Sequence, residues 1–232
     1  MRKTFGKEIV LRDASLTLYR GEILGLIGKS GSGKTTLLRI LMGFYKPNSG
    51  TIWYDGKDIT QQTQKIRHSV GLTTQESSFY DRLNVQENLW HYGRMYHISK
   101  KELEKQVPRL LQLVDLEDHK KTLAKDLSGG MRRRLDFAIS LIHDPDILIL
   151  DEPTTGLDPS LRKSMWKLIW QIQSLGKTIL ITSHHFEELE EHCTRIAILE
   201  SGYVRSVAPM DWYFKKYPQC KNLTQIFEVY TR

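Results

Sequence analysis

Aliphatic residues along this chain gather into short, nearly continuous runs at 23–27, 69–73, 147–150, 179–182 and 195–199. Runs of that length without polar alternation predict strands buried on both faces. The longer helical patterns between several of them predict a parallel sheet covered by helices, hence an α/β fold. Near the beginning the pattern differs. Residues 9–11, 15–19 and 50–56 combine brief apolar stretches with glycine turns, which predicts a small antiparallel β part. The stretch of about 76–144 reads as a helical insertion. In it, Ser99 and Glu102 predict a capping box, and Leu103, Val107, Leu110, Leu111 and Val114 follow at helical spacing. Pro108 interrupts that spacing and predicts a kink or a division into two helices. A further helix is expected after Ser128, with Met131, Leu135, Ala138, Ile139 and Ile142 on its apolar side.

The junction after the first run carries chemistry. Gly28, Lys29, Ser30, Gly31, Ser32, Gly33, Lys34 and Thr35 read G-K-S-G-S-G-K-T between a strand pattern and a helix pattern that opens at Thr36. This is a phosphate-binding loop in its proper context. Glycines let backbone N–H groups turn toward a triphosphate, Lys34 reaches its β and γ phosphates, and the Thr35 hydroxyl is placed to ligate Mg²⁺. The helix start adds unpaired N–H groups and the positive end of its dipole. The reading is a nucleotide site for ATP or GTP.

Length and composition narrow the setting. At 232 residues the chain is long enough for a substantial core, and nothing in it forces a split into separate domains. Its apolar runs last a few residues, whereas a membrane-spanning helix needs about 20. Met1 to Phe5 lack the apolar stretch of a secretory signal, and Cys193 and Cys220 lack metal-ligand spacing, so a cytosolic protein with reduced thiols is expected. Asn222-Leu223-Thr224 matches a glycosylation triplet that no secretion signal supports. The formal charge of +7, with dense spots at Arg132-Arg133-Arg134, His119-Lys120-Lys121 and Lys215-Lys216, fits either a solvated surface or attraction to an anionic membrane. No aromatic interleaving accompanies these spots, so no nucleic-acid partner is expected.

Hydrolysis requires more than a phosphate cradle. Asp151 and Glu152 close the run 147–150, the first suited to hold Mg²⁺ and the second to act as general base; two acids at a strand end could equally cap the next helix. Leu127-Ser128-Gly129-Gly130-Met131 offers either a second anion site or an ordinary serine cap. The succession of phosphate loop, Gln75, Ser128-Gly129-Gly130, Asp151-Glu152, Gly156-Leu157-Asp158 and His184 resembles the nucleotide-binding subunit of an ATP-binding cassette (ABC) transporter, and the resemblance covers nearly the whole chain.

The resemblance implies one ABC ATPase domain over 1–232, with a P-loop NTPase core, a helical subdomain bearing the Ser-Gly-Gly signature and a short tail from about 209. It implies Mg²⁺-dependent ATP hydrolysis and two copies packed head to tail. In that arrangement Ser128, Gly129 and Gly130 of one copy face the ATP on the phosphate loop of the other, and Asp158 communicates across the interface. His184, rather than His185, would contact the γ phosphate. Gln75 would sense Mg²⁺ and the attacking water while linking to a separate transmembrane permease, which places the chain at the cytoplasmic face of the membrane. Phe5 would stack on adenine. Because Phe5 lies so close to Met1, the family's first strand is expected to be shortened or absent. Met131 replaces the usual glutamine after Ser-Gly-Gly. That departure, with Leu83 to Leu89, the D-E-P-T-T-G-L-D-P stretch from Asp151 to Pro159 and Asn222 to Phe227, resembles the exporters of drugs, lipids and polysaccharides. Two other readings stand beside it, a soluble cassette ATPase acting on nucleic acid or ribosomes, and a regulatory module that holds ATP without turnover. The tail aromatics Trp212, Tyr213, Phe214 and Tyr217 are expected to pack on the cassette, with a partner contact as the alternative.

Overall fold

The structure is a computed structural model that describes residues 1–74 and 76–231, so Gln75 lies outside the described residues. Strands β1 (Lys3–Phe5) and β2 (Glu8–Leu11) form an antiparallel hairpin. β3 (Ile23–Ile27) leads through the glycine-rich loop into α1 (Lys34–Leu41). β4 (Trp53–Tyr54) and β5 (Lys57–Asp58) make a second hairpin. Its turn residues Asp55 and Gly56 have φ of 49° and 73°, the twist that an Asp-Gly pair supplies at least cost. A 3₁₀ stretch, Thr60–His68, precedes β6 (Val70–Thr73). Three helices follow before the next strand, α2 (Val85–Met95), α3 (Lys100–Leu113) and α4 (Gly129–Leu141). The remainder alternates, with β7 (Ile147–Asp151), α5 (Pro159–Ser174), β8 (Thr178–Thr182), α6 (Phe186–His192) and β9 (Arg195–Glu200). β10 (Tyr203–Pro209), α7 (Met210–Lys216) and α8 (Leu223–Thr231) close the chain.

The main sheet runs in the order β10-β9-β3-β8-β7-β6, parallel except for the antiparallel edge strand β10. Alternation decides which side each residue feeds. Ile23, Ile27, Ile179, Ile181, Ile196 and Ile198 enter a core shared with α4, α5 and the tail. Leu24, Leu26, Leu180, Ala197 and Leu199 enter a second core with α1 and β2. Both faces of these strands are therefore dry, as the unbroken aliphatic runs require.

Three expectations are corrected by the structure. Of the kink or division expected at Pro108, division does not occur, because α3 runs through it as one element. The proline sits on the exposed side while Leu103, Val107, Leu110 and Leu111 are buried, so packing holds the helix against the missing hydrogen bond. Residues 15–19 are not a strand. Leu16 and Leu18 do point into the second core, yet among the described residues the backbone N–H groups of Ser15, Leu16, Thr17 and Leu18 have no hydrogen-bond partner. Met1 pairs with Ala14, and beyond that point the neighbouring space is a cavity of about 600 Å³ with Thr51, Ile52 and Trp53 on its other wall. Of the expected 50–56 strand, only Trp53–Tyr54 pairs. An addition balances these losses. β10 was not foreseen, because its seven residues carry a weaker apolar pattern than the inner strands.

Candidate nucleotide site

The register of the parallel strands brings the candidate residues to one edge. Leu26 of β3 lies beside Thr182 of β8, which lies beside Asp151 of β7, so the segments leaving these three strands emerge together at their carboxyl ends. That edge is where open α/β sheets bind ligands.

The glycine-rich loop is shaped by contacts that exclude side chains. A Cβ on Gly28 would sit 2.4 Å from the Leu199 carbonyl oxygen, and Gly33, with φ of 105°, turns the chain into α1. Lys34 folds back over the loop, its Nζ donating to the carbonyls of Gly28 at 2.6 Å and Lys29 at 3.2 Å. Burial lowers the Lys34 ammonium below its ordinary value, while Glu152 and Asp151 oppose that shift. The two carboxylates are thus electrostatically in the same site as the lysine. Lys29, Ser30, Gly31 and Thr35 are exposed, and Thr36 is partly covered. Ser32 is buried, and its hydroxyl has no hydrogen-bond partner. The Ser32 N–H donates to the Lys29 carbonyl at 3.1 Å, and an orphaned hydroxyl in a glycine-rich loop at a helix start fits a phosphate ligand.

Opposite the loop, Thr182 organises the acids. Its hydroxyl donates to Asp151 Oδ1 at 2.6 Å and accepts from the Glu152 N–H at 3.1 Å. Glu152 is 3% exposed and has φ of 55°, a left-handed conformation that costs a non-glycine residue on the order of 1 kcal/mol. Its carboxylate accepts from the Thr155 hydroxyl at 2.9 Å and the His184 N–H at 3.2 Å, and lies 3.1 Å from His184 Nε2. His184 itself is exposed, whereas the N–H of His185 donates to Ser183 Oγ, away from the acids. Asp151 and Thr35 supply hard oxygen atoms suited to Mg²⁺, and among the described residues no His, Cys, Asp and Glu cluster would hold a metal alone. A cation here would need phosphate oxygens as well.

The remaining candidates lie elsewhere. Ser128 caps α4, its hydroxyl accepting from the Met131 N–H at 3.3 Å, and Gly130 is buried against Leu161 of α5. Among the described residues, no hydrogen bond or ion pair joins residues 128–130 to the phosphate loop. Asp158 caps α5, accepting from the N–H groups of Ser160 and Leu161. Phe5 is 41% exposed and meets Tyr45 edge to face at 5.2 Å, with Lys3 Nζ 5.0 Å from its ring. Gln75 lies outside the described residues, but Arg133 donates to the carbonyl of the preceding Thr74 at 2.6 Å. The arginine run is consequently structural: Arg132 donates to the Lys125 carbonyl, and Arg134 to the Val114 carbonyl and the Ser164 hydroxyl.

Sequence reading missed Thr182 and Thr155 as organisers of the acids. Thr182 carried a signal, since it ends a buried strand two residues before His184. Of the tail aromatics expected to pack, Tyr213, Phe214 and Tyr217 do, whereas Trp212 is exposed. Tyr213 is fully buried with its hydroxyl on the Ile196 carbonyl, and Lys29 Nζ donates to the Thr231 carbonyl at the end of α8. Cys193 and Cys220 are buried free thiols.

The chain is similar to known proteins in both sequence and fold. A family model described as ABC transporter matches residues 11–155. The chain is 41% identical over 202 residues to the Nod factor export ATP-binding protein I of Cupriavidus pinatubonensis, covering 87% of this chain and 62% of that protein. The protein of the same name from Rhizobium leguminosarum bv. viciae is 42% identical over 200 residues, covering 86% and 64%. The chain therefore spans less than two thirds of these two relatives. Among solved structures, cbiO1 of Clostridium perfringens, described as part of the ABC transporter complex cbiONQ, matches with a TM-score of 0.86 and 27% identity, covering 98% of this chain and 95% of that one. The ATP-binding cassette MJ0796, solved as a dimer in a post-hydrolysis state with ADP and Pi, matches with a TM-score of 0.77 and 26% identity, covering 90% and 95%.

Proposed function

The chain belongs to the ABC transporter family, and we propose that it binds and hydrolyses ATP to drive a separate transmembrane permease, in an exporter, from the cytoplasmic face of the membrane. The observation that carries this reading is the convergence of Lys34, Asp151, Glu152 and His184 at one sheet edge, with His184 Nε2 3.1 Å from Glu152. Lys34 and the loop N–H groups bind the phosphates. Thr35 and Asp151, with Gln75, would hold Mg²⁺, whose chemistry when bound is to neutralise charge on the transferred phosphoryl group. Glu152 accepts the proton of the attacking water on its carboxylate, and His184 steadies that carboxylate and reaches the γ phosphate. Phe5 stacks on the adenine.

Ser128, Gly129, Gly130 and Asp158 act in a second copy. They make no bond to the phosphate loop of their own chain, and MJ0796, a structural relative, was solved as a dimer. Two copies closing on two nucleotides would bring each Ser-Gly-Gly start to the opposite loop. Among the described residues no helix is long and apolar enough to cross a membrane, so this reading assigns transport itself to another polypeptide. Export is supported by the Nod factor export relatives.

Two measurements test the reading. Purified chain should hydrolyse ATP with Mg²⁺, and Glu152→Gln should keep ATP binding while losing about 10²-fold or more in turnover. Near-normal turnover in that variant would remove Glu152 as the base. Capture of the chain from detergent-solubilised membranes should bring a stoichiometric polytopic membrane protein. Ribosomal proteins or nucleic acid in its place would overturn the transport reading.

A further inference from the structure

Glu188 sits one helical turn beyond His184, outside the candidate site, yet it is tied to the segment that carries Glu152. Its carboxylate is largely buried, with its side chain 14% exposed. Oε2 accepts from the Thr154 hydroxyl and from Trp166 Nε1, each at 2.8 Å, and Oε1 lies 3.4 Å from Arg162 Nη1. Those donors come from two places. Thr154 stands two residues after Glu152 and is 1% exposed, while Arg162 and Trp166 project from α5, the helix that Asp158 caps. One side chain on α6 therefore gathers the loop bearing Glu152, the helix begun by Asp158 and the helix that follows His184.

The need for such a tie follows from Glu152. Its left-handed backbone is not the conformation its own residue type prefers, so the surroundings must impose it. Within the turn that follows, the Thr155 N–H donates to the Glu152 carbonyl and the Leu157 N–H to the Thr154 carbonyl. Pro153 and Thr154 are buried, and the Thr154 hydroxyl makes the turn's bond to α6. The Thr154–Glu188 bond fixes it against α6, on the same side as the contact of His184 with Glu152. A buried carboxylate with three donors is a rigid anchor, because losing any partner leaves a buried charge or hydroxyl unsatisfied.

We propose that Glu188 is a positioning residue, which locks the Glu152 loop to the His184 segment through Thr154 and to the Asp158 helix through Arg162 and Trp166. It touches neither nucleotide nor water and acts on turnover by holding Glu152 and His184 in mutual register. This rests on the ATP-hydrolysis reading above.

The test uses the full chain in steady-state ATPase assays, with ATP affinity and thermal unfolding measured alongside. Thr154→Val and Glu188→Ala should each lower kcat, the latter by about tenfold, while the KM for ATP stays within about twofold. The double variant should be no slower than Glu188→Ala, since both remove the Thr154–Glu188 bond. Thr154→Ser, which keeps the hydroxyl, should recover most of the rate lost in Thr154→Val. Multiplying losses in the double variant, a KM rising in step with the fall in kcat, or wild-type kcat in either folded variant would overturn the proposal. If Glu188→Ala fails to fold, the Thr154 pair decides the matter. Wild-type chain in the same assay separates the two levels: no hydrolysis there removes the parent reading and this one together, whereas wild-type turnover with unaffected variants removes only Glu188.

Discussion

Lys34 shows what a local motif makes legible and what it does not. The loop and its lysine could be read directly, because strand, glycines and helix are consecutive in sequence. The role of Thr182 could not, because the residues it joins, Asp151 and Glu152, lie about 30 positions away and meet it only through the register of β7 and β8. Lys34→Ala should weaken ATP binding by about tenfold or more, as removal of a charge-assisted contact to phosphate does. Unchanged affinity in a nucleotide titration would refute the loop assignment. His143 provides a different test. Its ring stacks on Tyr96 at 3.9 Å, and burial lowers its pKa from the ordinary 6.5 to about 4. The folded protein therefore keeps this imidazole neutral where the unfolded chain would protonate it. That contribution to stability is complete above about pH 6.5 and is lost as pH falls toward 4. His143→Phe, which retains a ring on Tyr96, should flatten the dependence of Tm on pH across that window.

At the scale of elements, legibility follows the source of each element's stability. The inner strands were readable because burial on both faces writes an unbroken aliphatic run. The α3 cap was readable because Ser99 and Glu102 bond each other's backbone, a sequence-local arrangement that the structure contains in full. The α2 cap, Asn84 with Glu87, obeys the same rule. Division at Pro108 did not follow, because the packing on the opposite side of the helix holds α3 together. Its ring removes one backbone hydrogen bond from an exposed position, so Pro108→Ala should raise stability by about 1 kcal/mol or more without opening a cavity. A lowered denaturation midpoint would mean that the proline relieves strain elsewhere in the helix. Strand 15–19 failed for the converse reason. Alternation gives a strand its two faces, but hydrogen bonding requires a neighbour, which no local pattern reports.

At the scale of the whole molecule, the proposal divides the site between two copies, and complementation tests that division. Lys34→Ala damages the phosphate loop and Ser128→Glu damages the opposing helix start. Each variant alone should be nearly inactive, because both sites of either homodimer would be damaged. An equal mixture should regain turnover, since one of the two sites in a mixed dimer joins an intact loop to an intact Ser128. If activity did not return on mixing, the two motifs would have to serve one chain. The cavity beside 14–18 has a consequence of another kind. Residues 14–18 line it, and among the described residues the N–H groups of Ser15, Leu16, Thr17 and Leu18 have no hydrogen-bond partner, the feature that lets a foreign strand add. In deuterated solvent the amides of Leu16 and Leu18 should exchange among the earliest in the protein, although their side chains lie in a core. On storage at high concentration this same edge is where one molecule would begin to stitch itself to the next.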